Sequence, residues 1–412
     1  MKACHIIYRL TAIIIAITLT LFSCNQSNQE TIESLNQGVV LIDLSAPRSV
    51  QLSELVEELN FVWFDIEDPI SFGNVIIKQE KIYYHDLQQM IIYVFDLEGK
   101  LLHKLDAVGE GPDEYSSIGN FEVHENGSLT IYDFQLGKRI DYDADLEFTK
   151  QVKMDLTLPF QQITRLASGN YLMQTNHNTK VIDGQLTNCE YVLTDSLGNP
   201  LEKFFDKLYP GEQSESYVSY QPFPLQMIRD EQGTIYGNVN YDNSLYQFDG
   251  SDFSRFLEVE YINGNSIDYE EMVKLSKMDQ MKYLARSDEF IGKVSAPNFE
   301  VYNQKLTLIN YFKRASSGQG VSFNHYIMLK DTVFHASEIV NDFSDFPDRI
   351  NLSYSGSGYY YLSPWYDGNL ATLLYPNELL EYGEVITLSD GREVSYDDNP
   401  ILLLMPVREA LL

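Results

Sequence analysis

A short aromatic or aliphatic strand signal recurs along this chain, and that recurrence limits the fold more than any other feature. It reads Ile82-Tyr83-Tyr84, Leu129-Thr130-Ile131-Tyr132, Tyr171-Leu172-Met173, Thr234-Ile235-Tyr236, Leu306-Thr307-Leu308-Ile309 and Tyr359-Tyr360-Tyr361-Leu362. A glycine turn often precedes it, as at Asn126-Gly127-Ser128, Ser168-Gly169-Asn170, Gln232-Gly233 and Ser357-Gly358. A second signal follows: a strand ending in an aromatic or threonine plus Asp, then a turn. It appears at Phe95-Asp96, Tyr142-Asp143, Thr194-Asp195 and Phe248-Asp249. Asp and Gly tolerate the dihedral angles of a hairpin turn, so each pair of signals predicts a hairpin. The repeat spacing of roughly 40 to 70 residues is that of four-stranded blades in a β-propeller. The expected fold is all-β, a six-bladed β-propeller with a short helical insertion. Radial closure leaves few free strand edges, which suits a chain without disulfides. A pair of β-sandwiches is the alternative that short strands would also allow.

Two stretches break the repeat. Residues 267–284 place Met272, Leu275, Met278 and Met281 at spacings of three, which predicts an amphipathic helix inserted between the fourth and fifth blades. Residues 53–59 carry a Ser cap and a short helical pattern. They lead into Phe61-Val62-Trp63-Phe64, a strand able to complete the last blade from the N-terminal side.

The N-terminus carries an address. Lys2 and Arg9 precede an uncharged run from Leu10 to Phe22, and Ser23-Cys24 closes it. A secretory signal has this order of basic, apolar and small residues, and the run is too short to span a bilayer. Leu21-Phe22-Ser23-Cys24 resembles the lipobox of a bacterial lipoprotein signal. The resemblance implies cleavage before Cys24 and lipidation of its thiol and new amino group; a plain secreted protein is the alternative. The domains expected are thus a signal over 1–23, a polar tether over 24–38 and the propeller over 39–412. Three cysteines are present; Cys4 would leave with the signal and Cys24 would carry lipid, so Cys189 would have no partner for a disulfide.

The formal net charge is -31, and the signal removes only basic residues. Such a surface repels phosphate backbones and anionic lipid, so no nucleic-acid partner is expected and the membrane would be reached through the lipid anchor alone.

Several segments resemble the six-bladed β-propeller lipoproteins of Bacteroidetes, relatives of the NHL-type propellers. Residues 55–66 (LVEELNFVWFDI) are similar to that family's opening strand, and 91–101 (IIYVFDLEGKL) to its first blade. Gly109-Glu110-Gly111-Pro112-Asp113-Glu114-Tyr115 matches its G-x-G-P-G-E-Y motif except at Asp113, and Asp398-Asn399-Pro400-Ile401-Leu402 resembles its closing strand. The resemblance implies fold and location but no activity.

The candidate binding residues are Gly109, Glu110, Gly111, Pro112, Glu114 and Tyr115, an acidic loop, and Trp365 and Tyr366, expected on an aromatic loop. The acidic loop could receive a cation, an amine or a partner. It could equally be an inter-blade connection in which Tyr115 packs and Glu114 ties down backbone amides. Exposed aromatics beside Asp and Asn suit a sugar ring, and they also suit packing between blades. Asp141, Asp143 and Asp145 have calcium-loop spacing, but Leu146 and Val152 stand where an EF-hand needs Gly and Glu, so a hairpin turn is expected. No histidine pair has metal-ligand spacing and no G-x-S-x-G elbow exists, so no catalytic residue, metal or cofactor is assigned. The expected function is a lipid-anchored binding module of the cell envelope for a glycan, a peptide or another envelope protein. The alternatives are a propeller lyase or hydrolase, and a scaffold subunit of an outer-membrane complex.

Overall fold

The computed structural model describes residues 38–155, 160–175, 181–182, 185–186, 189–206, 227–230, 232–267, 291–303, 306–314, 321–330, 332–343, 365–366, 368–380, 382–388 and 391–411. Six large sheets make the ring of a six-bladed β-propeller, almost without helix among the described residues. The first blade is β4 (Gly73–Lys78), β5 (Lys81–Asp86), β6 (Ile91–Asp96) and β7 (Leu101–Leu105). The second is β8 (Asn120–Val123), β9 (Leu129–Asp133), β10 (Lys138–Tyr142) and β11 (Phe148–Lys153). The third is β12 (Phe160–Arg165), β13 (Tyr171–Thr175), β16 (Cys189–Thr194) and β17 (Pro200–Asp206), with a small side hairpin of β14 (Val181–Ile182) and β15 (Gln185–Leu186). The fourth is β18 (Met227–Arg229), β19 (Ile235–Asn238), β20 (Ser244–Phe248) and β21 (Phe253–Ile262). The fifth is β22 (Asn298–Asn303), β23 (Leu306–Arg314), β24 (Val321–Leu329) and β25 (Thr332–Val340).

The sixth blade is composite. From the C-terminal part come β26 (Trp365–Tyr366), β27 (Asn369–Leu374) and β30 (Ile401–Pro406). Between the last two lie α2 (Pro376–Leu379) and the hairpin β28 (Val385–Thr387) and β29 (Glu393–Ser395). The fourth strand is N-terminal: β3 (Asn60–Trp63) pairs antiparallel with β30, Val62 opposite Leu402. The expected closure by Phe61 to Trp63 is therefore present. Before closing the ring, the chain adds an outermost strand to two other blades. β1 (Val39–Asp43) runs parallel to β21, and β2 (Arg48–Gln51) parallel to β25. The helical turn expected over 53–59 is shorter and earlier, α1 (Leu52–Leu55); the Glu54 carboxylate accepts the Gln51 N–H at 2.9 Å.

Five of the six recurring signals are the second strands of blades one to five: β5, β9, β13, β19 and β23. The Asp-terminated signals are the third strands of blades one to four, with Asp96, Asp143, Asp195 and Asp249 each accepting backbone N–H groups from its turn. The sixth signal, 359–362, lies outside the described residues. In blade six the second strand is β27, whose Asn369-Leu370-Ala371-Thr372 lacks the aromatic signature. The expected helix over 267–284 and Cys24 with its tether also lie outside the described residues, save Ile267, which is buried.

Each seam between neighbouring blades has its own apolar cluster. Tyr84, Tyr93 and Phe95 of blade one meet Val62, Ala371 and Leu402 of blade six. Tyr132 of blade two meets Ile163, Tyr171 and Met173 of blade three, with Cys189 buried among them. Outer hairpin turns lean on the preceding blade. Gly99, at φ +86°, sits so close that a Cβ would lie 2.0 Å from the Trp63 carbonyl oxygen. Gly198 repeats this against Asp155. Only glycine combines that dihedral with that approach.

Two buried aspartates pin loops to strands. Asp133, at the end of β9, accepts Ser116 N–H at 2.6 Å, and Gln135 and Leu136 N–H at 3.0 Å each. Asp86, at the end of β5, does the same for Ser71, Gln88 and Gln89. Asp133→Ala would leave several part-buried donors without their acceptor, so a loss of about 1–3 kcal/mol is expected in urea denaturation, against a far smaller midpoint change for the exposed turn variant Asp195→Ala.

Burial depresses His325, His85 and His335 to about 4, from an ordinary 6.5. The unfolded chain then binds more protons than the native one between these values. The stability held above pH 6.5 is lost as pH falls toward 4, by about 2 kcal/mol at pH 5 for the most enclosed, His325. Thermal melting at pH 7 and pH 5 should show this drop, and His325→Asn should reduce the difference while His85 and His335 keep the rest.

Candidate functional site

The two ends of the ring are unlike. Antiparallel strands alternate direction, so connections from first to second and third to fourth strands leave at one end, and the others leave at the opposite end. At the first end the described connections within a blade are short turns, such as 79–80, 124–128 and 166–170. From the second end leave the connections that span 106–119, 176–188, 207–226, 263–297, 341–364 and 375–400. The inner strands crowd the axis: β8 touches β12, β18 touches β22, and β26 touches β4.

The acidic loop is the long connection between blades one and two. Tyr115 is fully buried; its hydroxyl donates to the Met90 and Leu105 carbonyls, at 2.8 and 3.1 Å. The Glu114 carboxylate accepts Gly111 N–H at 2.8 Å. That carboxylate also explains Gly109, where a Cβ would lie 2.0 Å from a Glu114 oxygen. Buried Lys138 donates to the Gly111 carbonyl at 2.7 Å, and Tyr142 to that of Asp113 at 2.7 Å. None of Gly109, Gly111 and Asp113 has positive φ, so Asp113 fits where the resembled family carries glycine. The structural half of the expectation is met: Tyr115 and Glu114 hold the loop. Glu110, Pro112 and Asp113 are left exposed on it.

Trp365 and Tyr366 form a short inner strand, β26, rather than a loop. They pair with Leu370 and Asn369 beside the turn at 367–368. The structure therefore sets them at the short-turn end, away from the Gly109–Tyr115 loop at the other.

The described histidines do not gather. His85 sits on β5 against the Phe121 ring, His124 follows β8, and His325 and His335 lie on adjacent strands of blade five. Their registers differ by one residue, so they point to opposite faces of that blade: His335 pairs with Tyr326, and His325 with Ala336. Among the described residues no three His, Cys, Asp or Glu side chains are grouped to hold a metal ion. Asp143 caps its hairpin turn, while Asp141 pairs with Arg139 at 2.8 Å.

One polar constellation had no signal in the sequence. At the short-turn end, Arg229 Nη2 donates to Thr164 Oγ1 at 2.6 Å and to the Arg165 carbonyl at 2.8 Å. Thr164 Oγ1 donates to Glu122 Oε1 at 2.7 Å, and the Tyr132 hydroxyl to Glu122 Oε2 at 2.6 Å. Lys78 Nζ donates to the Val123 carbonyl at 3.1 Å and pairs with Glu125 at 2.6 Å. Burial depresses His124 beside them, and Lys78 and Arg165 depress it further against the opposing pull of Glu122 and Asp141. Residues 78, 122, 164 and 229 share no local spacing. Their shared property is a place on the first strand of a blade, visible only once the repeat is aligned.

Solved structures with this fold include a candidate exported protein of Bacteroides fragilis. It has 17% identity and a TM-score of 0.66, covering 90% of this chain and 100% of its own. A member of the DUF4221 family from Bacteroides vulgatus shares 8% identity with a TM-score of 0.51, covering 86% of this chain and 97% of its own. At these identities the likeness concerns the fold. No curated protein matches the chain. The family model described as a domain of unknown function, DUF4934, matches residues 39–406, from β1 to the last residue of β30, and the chain belongs to that family.

Proposed function

We propose that this protein is an exported, lipid-anchored propeller of the cell envelope that binds a ligand or partner at its long-connection end. The observation that carries the reading is the contrast between the two ends: short turns on one, and six connections of thirteen residues or more on the other. A rigid ring whose long connections all leave one end is how a scaffold presents a binding surface. The Gly109–Tyr115 loop supports this. Its base is fixed by Tyr115, Glu114 and Lys138, while Glu110, Pro112 and Asp113 face solvent. A pre-ordered loop loses little entropy on binding. Its acidity favours a cationic or amine-bearing face on a peptide or envelope protein.

The exported Bacteroides fragilis likeness agrees with an envelope address. Lipid at Cys24 supplies the anchor in this reading, with an acidic domain held off an anionic surface.

A photo-crosslinking residue placed at Glu110 or Asp113 in the native envelope should give discrete adducts that are absent when the probe replaces Ser168 at a short turn. Adducts from Ser168 alone would assign binding to the other end, and none from any position would remove the binding-module reading. Cys24→Ala should move the protein from the membrane fraction to the soluble one; unchanged membrane association would reject lipid anchoring.

A further inference from the structure

We infer that the short-turn mouth of the propeller holds a second site, an oxyanion-binding site built on Arg229, Arg165 and Lys78. It lies at the end opposite the loop considered above and stands independently of that reading. The chain has more than twice as many acids as bases, yet the inner strands of blades one, three and four each end in a cation at this mouth. β4 ends in Lys78, β12 in Arg165 and β18 in Arg229.

Contacts between blades bring them together. Lys78 reaches the β8 end, where it bonds the Val123 carbonyl and Glu125. Arg165 N–H bonds Glu122 of blade two at 3.2 Å, and Arg229 of blade four bonds Thr164 and Arg165 of blade three. The field at Glu125 includes Arg229, and that at His124 includes Lys78 and Arg165.

The carboxylates of the cluster are already engaged. Glu125 is taken by Lys78; Glu122 accepts from Tyr132, Thr164 and the Arg165 backbone. Among the described residues, neither Arg165 nor Arg229 has a carboxylate within ion-pair distance. Arg229 is fixed in place all the same. One of its nitrogens is tied, through buried Thr164 and Glu122, to the fully buried Tyr132. Its remaining donors keep the planar fork that recognises two oxygens of one anion. A solvent-exposed guanidinium held by neutral oxygens, with no carboxylate of its own among the described residues, is matched by an anion from outside the chain, and the acidic surface beyond the mouth makes the selection local. The ligand class is a compact oxyanion, whether phosphate, sulfate or carboxylate, presented on or near the axis.

The test is calorimetric titration of the whole chain with inorganic phosphate, inorganic sulfate and acetate at matched ionic strength, with chloride as the control. Saturable binding is expected for at least one of the three, and which one distinguishes tetrahedral from planar anions. Arg229→Gln and Arg165→Gln should each weaken it at least about tenfold, the scale of losing a charge-assisted pair. Thr164→Val retains every charge yet frees Arg229 from its relay, and should weaken binding by a smaller factor. Melting curves establish that each variant is folded, and Arg229→Lys replaces any variant that is not. No saturable binding in the unaltered protein, or binding unchanged in both arginine variants, would overturn the proposal.

Discussion

The pairing of β3 with β30 joins the two ends of the chain, and every other seam depends on it. A propeller blade buries its faces only against its neighbours, so a ring open at one seam leaves two sheet faces in water. Here the closing strand places Val62 and Phe64 in the same cluster as Tyr84, Tyr93, Phe95 and Leu402, and the seam between blades six and one is filled like the other five. Polar pins then fix what apolar packing leaves free. Tyr375 exchanges hydrogen bonds with Gly73 across the closing seam, and Asn238 bonds the Phe299 backbone across the seam of blades four and five.

The parts of this fold readable from sequence were those set by local chemistry. Second strands announced themselves through paired aromatics such as Tyr83-Tyr84, which face two seams at once and so must be large and apolar on both sides. Third strands announced themselves through the turn aspartates. Blade six failed the pattern because β27 buries the small Ala371 and Thr372 in place of a paired aromatic. The added outer strands β1 and β2 had no legible signal, since parallel pairing with residues some two hundred or three hundred positions away leaves no local mark.

The site was legible in part. Gly109 to Tyr115 stood out because its glycine, carboxylate and tyrosine serve one another within seven residues. The arginine relay did not, because Glu122, Thr164 and Arg229 meet only through the repeat. Their contact is a property of the ring and not of any segment. The two ends thus differ in design as well as in loop length: one carries exposed acids on a braced loop, the other carries cations braced by inner-strand contacts.

The outer course of β1, β2 and β3 also sets an order of assembly. β1, β2 and β3 find their partners at residues 258–262, 336–340 and 401–404. Those partners emerge later, so the leading segment waits unpaired while blades one to five take shape behind it. It is then laid down last, as a strap around the outside of three blades. The three strands thus pair far along the chain from their own position, and the ring can be locked only once residues 401–404 are in place.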